Sequence, residues 1–182
     1  MKHLRLCFVG DSFVNGTGDP ACLGWAGRLC VAAQQQGHEI TYYNLGIRRQ
    51  TSQDIADRWQ EEVAARLPTE CEGRIVFSFG VNDTTVEDGK ERVTLAESLE
   101  HTRRILLAAR QCFPTLMVGP PPSSKMSTTS VLRVSLSSSR WCVRRWKSPI
   151  WRCSPHYSKS ARGKRKLLPM TALIRELLAM LR

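Results

Sequence analysis

Four short apolar runs punctuate the first two thirds of the chain, and each ends in a glycine or a polar break. Residues 4–9 (LRLCFV) read as a buried strand ending at Gly10, and residues 40–46 (ITYYNLG) as a second strand ending at Gly46. Residues 74–80 (RIVFSFG) form a third. Residues 115–119 (TLMVG) form a fourth, closed by Pro120, Pro121 and Pro122. The stretches between them carry apolar residues at helical spacing. Residues 21–36 place Leu23, Ala26, Leu29, Cys30 and Ala33 on one side, with Gly37 as a stop. Thr51 or Ser52 can cap a helix running to about Leu67, just before Pro68. Residues 94–111 carry Leu95, Leu99, Ile105, Leu106 and Ala109.

The predicted order is β-α-β-α-β-α-β. Short apolar strands alternating with amphipathic helices imply a parallel sheet with helices on both faces. In such sheets ligands bind beyond the carboxyl ends of the strands. Three polar clusters, Asp11–Ser12, Gly46–Ser52 and Gly80–Thr85, each follow a strand end. They are therefore expected to meet at one edge of the sheet.

Past Pro122 this pattern stops. The segment is rich in Ser, Arg and Trp, and Trp141, Trp146 and Trp151 fall five apart, which fits neither a helix nor a strand. Residues 131–136 (VLRVSL) could form a strand, and a helical stripe returns only over Leu173–Leu181. Charge divides at the same place. Residues 1–120 hold 13 Lys+Arg against 15 Asp+Glu, whereas residues 121–182 hold 14 Lys+Arg against one acid, Glu176. The overall +11 thus hides a balanced part at −2 and a basic part at +13.

At 182 residues the chain suits one domain, and 42% hydrophobic with 24% charged residues excludes a wholly disordered chain. No apolar run is long enough to span a membrane, and the N-terminus lacks a signal-peptide cleavage pattern, so a cytoplasmic location and no membrane partner are expected. The seven cysteines show no Cys-x-x-Cys pair and no metal-ligand rhythm, which suggests buried thiols in a reducing compartment and no metal. A phosphate-binding loop is excluded, because no Gly-Lys-Ser/Thr follows the glycines.

Candidate chemistry lies at the strand ends. Ser12, in the block Gly10-Asp11-Ser12, sits where a strand turns toward a helix, so its hydroxyl can face the crevice while its N–H faces a developing anion. Gly46 lets a backbone N–H approach a ligand closely. Asn82, in Gly80-Val81-Asn82-Asp83, offers a neutral, directed donor. Taken singly, Ser12 suits a helix N-cap, Gly46 a strand end and Asn82 an Asx-turn. Taken jointly at one edge, a hydroxyl with two N–H groups and an amide is what acyl transfer needs to hold a tetrahedral oxyanion. Asp11 and Asp83 suit bracing of these loops. Arg48 and Arg49 read as solvated charges or as a greeting for an acidic substrate.

Gly-Asp-Ser at 10–12, Gly46 in NLGIRRQTS and Gly-Val-Asn-Asp at 80–83 together resemble the three leading blocks of the SGNH hydrolases, also called the GDSL esterase/lipase family. The resemblance covers about residues 4–122. It implies an α/β, flavodoxin-like three-layer αβα fold with a parallel sheet. It also implies cofactor-free hydrolysis of a small ester or thioester. No specific nucleic-acid partner is expected, because the Trp and Arg of the basic segment do not fall on one face, and the oligomeric state is left open. By the resemblance Ser12 is the nucleophile, the Ser12 N–H, the Gly46 N–H and Asn82 form the oxyanion hole, and Gly10, Asp11, Gly80 and Asp83 support them.

The family's C-terminal Asp-x-x-His block, which supplies the base, is missing. No Asp follows Asp88, and His156 has no carboxylate three residues before it. His3, His38 and His101 fall on a strand start, a turn and a helix, and read as structural or solvated. The genetic code suggests why. Met170 has the single codon ATG and Thr171 begins AC, so a frame one base earlier reads GAC, an Asp. Three codons on, Leu173 ending in C with the AT of Ile174 reads CAT, a His. The hypothesis is that residues 123–182 are translated out of frame, leaving the C-terminal part aberrant or incomplete. The nucleotide sequence tests it, and an undisturbed frame defeats it. Without a base the expected function is an impaired serine ester hydrolase. The alternatives are a catalytically inactive pseudoenzyme holding an acyl or carboxylate ligand, and a basic adaptor for nucleic acid.

Overall fold

Strand β1 (Leu4–Gly10) runs through the centre of the molecule and decides its layout. In the computed structural model, the described residues are 3–119 together with the backbone of 131–137 and 140–146. The chain passes from β1 through α1 (Ser12–Asn15) and α2 (Gly24–Gln35) to β2 (Ile40–Gly46) on one side of β1. It then passes through α3 (Ser52–Ala64) to β3 (Glu72–Ser78) on the other side. A small hairpin, β4 (Val86–Glu87) and β5 (Lys90–Glu91), precedes α4 (Leu95–Cys112) and β6 (Thr115–Met117). The main sheet has the order β2-β1-β3-β6, all parallel. Separate from it, β7 (Val131–Ser137) pairs antiparallel with β8 (Arg140–Trp146).

The alternation within each strand divides the core. Leu4, Leu6, Phe8 and Val76 face α1 and α2, packing on Val14, Ala26, Leu29, Cys30 and Ala33. Cys7, Val9, Ile75 and Phe77 face α3 and α4, packing on Ile55, Trp59, Val63, Ile105, Leu106 and Ala109. Two apolar layers, one on each face of a parallel sheet, are the three-layer αβα arrangement expected from the sequence.

The four strands and three long helices fall within three residues of where the pattern puts them: α2 starts at Gly24 instead of residue 21, α3 ends at Ala64 instead of about Leu67, β3 spans Glu72–Ser78 instead of 74–80, and β6 ends at Met117 instead of 119. Two small elements carry too few residues to show a period. Helix α1 is four residues long, and its N-cap is Asp11 (not Ser12), whose carboxylate accepts from the Phe13 N–H at 2.9 Å. The β4–β5 turn is made by Asp88 (φ 52°) and Gly89 (φ 78°), the Asp-Gly pair that a tight hairpin favours. Cys7 and Cys30 are buried as expected of structural thiols, but Cys22 and Cys112 are exposed. Among the described residues no helix is long and apolar enough to cross a membrane. His156, the basic stretch within 123–182 and the Met170–Ile174 block lie outside the described side chains.

Candidate active site

The parallel register sets three positions side by side at the carboxyl edge of the sheet: Gly10 opposite Gly46 on one side and opposite Ser78 on the other. The loop after β1 leads to α1 and α2 on one face of the sheet, whereas the loops after β2 and β3 lead to α3 and α4 on the other, so the end of β1 is the switch point of the sheet, where such folds form their ligand crevice.

Both glycines are required by crowding. A Cβ on Gly10 would lie 2.0 Å from the Ser78 carbonyl oxygen and 2.5 Å from Val14 Cγ2. A Cβ on Gly46 would lie 2.2 Å from the Asn15 nitrogen and 2.8 Å from the Asp11 carbonyl oxygen. The end of β2 is thus pressed against the loop and helix turn that carry Ser12. Ser12 is the first residue of α1, half-buried, and its carbonyl accepts from the Gly16 and Thr17 N–H groups.

Gly46 ends β2, and its N–H donates to Asn44 Oδ1 at 3.0 Å. The Asn44 amide in turn donates to the Val14 carbonyl at 3.0 Å. Asn82 does not form a local Asx-turn. Its Nδ2 reaches across to the Gln50 carbonyl at 2.8 Å, joining the third loop to the second. Gly80 (φ 109°) carries the chain from β3 toward that loop. The Gly46 N–H and one Asn82 N–H therefore have partners within the protein.

The two aspartates brace the edge differently. Asp83 is buried and accepts from the Ser52 N–H at 2.7 Å and from Ser98 Oγ at 2.5 Å, tying its loop to the starts of α3 and α4. Asp11 is also buried. One of its oxygens caps α1, and the other has no partner among the described residues. Burial first, and the charge of Asp83 second among the raising influences, push the Asp11 carboxyl from 3.8 up to about 6, against the pull of the Phe13 N–H.

Several residues of this edge were not found in the sequence. Ser52 Oγ lies 3.0 Å from His101 Nδ1, so His101 reaches the brace although it sits on α4. The remaining described His contact is His3 with Thr41 Oγ1 at 2.6 Å, at the far end of the sheet. Arg58, on α3, donates to the Gly10 and Leu45 carbonyls at 3.1 and 2.9 Å. Its signal in the sequence was its position three residues past Ile55, on the stripe α3 turns to the sheet, where a charge needs partners. Arg49, at φ 66°, pairs with Glu87 at 2.7 Å, while Arg48 is exposed. Among the described residues no group of three or more His, Cys, Asp or Glu is placed to hold a metal ion.

Solved structures share the fold. The esterase AlinE4, of the SGNH-hydrolase family, matches at TM-score 0.54 and 22% identity over 68% of this chain and 61% of its own. The acetylxylan esterase Axe2 from Geobacillus stearothermophilus matches at TM-score 0.52 and 22% identity, over 62% of this chain and 57% of its own. A G-D-S-L family protein from Desulfitobacterium hafniense DCB-2 matches at TM-score 0.51 and 22% identity, over 66% of this chain and 62% of its own. The chain thus spans about three fifths of the length of these structures. No protein among curated sequences matches it. The family model of the GDSL-like lipase/acylhydrolases matches residues 8–139, nearly three quarters of the chain, beginning inside β1 and running past all three loops of the crowded edge. With that match over the same segments that build the crevice, the chain belongs to the GDSL-like lipase/acylhydrolase family.

Proposed function

We propose that this chain is a serine ester hydrolase of the GDSL/SGNH type, acting on a small ester or thioester through Ser12. The observation that carries the proposal is the packing of Gly46 directly against the turn that holds Ser12, with Asn82 linked to the same loop through Gln50. In the proposed reaction Ser12 Oγ adds to the acyl carbon. The negative charge on the acyl oxygen is met by the Ser12 N–H, the Gly46 N–H and the Asn82 amide. The Gly46 N–H exchanges Asn44 Oδ1 for that oxygen, a change of partner that costs little because a donor is satisfied before and after. The alcohol or thiol leaves with a proton, and water releases the acid from the acyl-enzyme.

The sequence as written has no Asp-x-x-His block, so the Ser12 proton passes to solvent. A positioned base contributes about 10²–10⁴-fold, and turnover is expected to be reduced by that order. The acetylxylan esterases among the structural neighbours make an acetyl ester the first substrate to try. The test is hydrolysis of p-nitrophenyl acetate by the full chain and by Ser12→Ala. The expected result is a rate above background that Ser12→Ala abolishes. Equal rates would remove Ser12 from the mechanism. The missing base also favours a second reading, a pseudoenzyme that holds an acyl or carboxylate ligand without turning it over. That reading predicts acetate binding lost in Asn82→Ala with no product from either protein.

A further inference from the structure

One guanidinium touches the ends of β1 and β2 and the loop after β2, and reaches the third loop through Gln50. Arg58 Nη2 donates to the carbonyls of Gly10, at 3.1 Å, and Leu45, at 2.9 Å, the last turns of β1 and β2. Arg58 Nε donates to Gln50 Oε1 at 2.5 Å, and the Gln50 carbonyl holds Asn82 Nδ2 at 2.8 Å. Arg58 Nη1 is paired with Glu62 one turn along α3. The side chain is 15% exposed, so these bonds are made mostly out of water. A planar fork with five donors can bind several acceptors at once; a lysine ammonium cannot reproduce that pattern.

The Leu45 carbonyl belongs to the same peptide unit as the Gly46 N–H. A trans peptide is planar, so fixing the carbonyl on one side fixes the direction of the N–H on the other. A cation on the oxygen also draws electron density from the nitrogen, and the N–H becomes a stronger donor. We propose that Arg58 is the positioning residue of the site: through the Leu45 carbonyl it aims and polarises the Gly46 N–H, and through Gln50 it holds Asn82 in register with it. Arg58 touches no reacting atom. Its effect passes through the peptide plane and the Gln50 loop.

This inference rests on the proposed hydrolase reading for its kinetic consequence, but its structural arm does not need turnover. The experiment uses the full chain labelled with ¹⁵N, comparing Arg58→Met, Arg58→Lys and Arg66→Met. Arg66 lies beyond the last turn of α3, near the opposite end of the sheet, where its Nη1 donates to the Glu62 carbonyl at 2.8 Å. In Arg58→Met the Gly46 amide proton is expected to move upfield and the Asn82 side-chain amide to shift with it. Arg58→Lys should give smaller shifts of the same sign, and Arg66→Met none at either group. On p-nitrophenyl acetate, kcat is expected to fall about tenfold in Arg58→Met with KM unchanged, since a weakened oxyanion donor costs less than the ~10²–10³-fold of a deleted one. Arg66→Met should leave kcat as it is.

Gly46 and Asn82 resonances unmoved in a folded Arg58→Met or Arg58→Lys would overturn the proposal, as would an equal loss of kcat in Arg66→Met. If Arg58→Met does not fold, the Lys variant decides on the same two readouts. Wild type and Ser12→Ala hydrolysing at the same rate would overturn the hydrolase reading instead, leaving the resonance shifts to judge Arg58 alone.

Discussion

One residue, Val9, separates Phe8 from the end of β1 at Gly10, and the two places obey different rules. Phe8 is fully buried, with Trp25 and Tyr42 edge-on to it at 5.6 and 5.4 Å. It is held by area and shape, and a neighbouring side chain of similar volume could share its work. At Gly10 the space a side chain would fill belongs to the backbone of β3 and to Val14. Its own carbonyl is bonded by an arginine, and next comes a buried carboxylate with one oxygen that has no partner among the described residues. The middle of the sheet is stabilised by filling, the end by leaving room for polar groups. That difference is why chemistry concentrates at the end.

The comparison breaks most sharply at Gly10 itself. A methyl group there must displace the Ser78 carbonyl, 2.0 Å away, and backbone in a paired strand has nowhere to go. Gly10→Ala is expected to cost about 3 kcal/mol or more, at the upper end of overpacking effects. Urea denaturation would read this as a lowered midpoint. A midpoint unchanged from wild type would mean that the strand ends can part without cost, and the crowded edge would not be rigid.

A smaller effect is expected at Asp11, and it depends on pH. The folded carboxyl sits at about 6, above its ordinary 3.8, chiefly because it is buried. The folded protein therefore keeps a proton that the unfolded chain has already lost. That contribution to stability is full below 3.8 and is lost as pH rises through about 6. The gap corresponds to roughly 3 kcal/mol at most. Asp11→Asn keeps an oxygen to cap α1 and removes the charge. Its stability should match wild type near pH 4 and exceed it by up to that amount near pH 8. A difference that does not change with pH would show that the orphan oxygen is solvated or paired, and the contrast with the core would narrow.

What could be read in the sequence follows the same division. Strands and long helices were legible because burial imposes a period, as in Ile55, Trp59 and Val63 of α3. The three loops were legible because each begins at a strand end with a glycine or an aspartate. The braces were not. Asn44, Gln50, Arg58 and His101 act through partners up to 49 positions away, and no local pattern encodes such a partner. Asp11 took the capping role open to Ser12, because its carboxylate reaches the Phe13 N–H across one residue. The register set Gly10 against Gly46 and Ser78 only once the strands had paired.

The smallest effects sharpen the comparison by using one motif twice. Thr51 and Thr94 each begin a helix with the same reciprocal box: the Thr hydroxyl accepts from the third N–H, and the third acidic side chain accepts from the Thr N–H. Thr51 is buried beside the crevice, and Thr94 is exposed. Replacing either with Ala removes one cap, worth about 1 kcal/mol, and should lower the melting temperature by roughly 2–6 °C. The two losses should be similar in stability and unlike in function. Thr51 follows Gln50, whose carbonyl holds Asn82 and whose side chain meets Arg58, so loosening the start of α3 loosens both contacts. Thr94 follows Val93, whose N–H donates to the Asp83 carbonyl at 3.1 Å, and among the described residues neither hydrogen-bonds to Gln50 or Arg58. Thr51→Ala should therefore slow p-nitrophenyl acetate hydrolysis severalfold at 25 °C, and Thr94→Ala should leave it unchanged. Equal rates in the two variants would mean that the start of α3 does not transmit to Asn82, and that the braces hold the fold without holding the site.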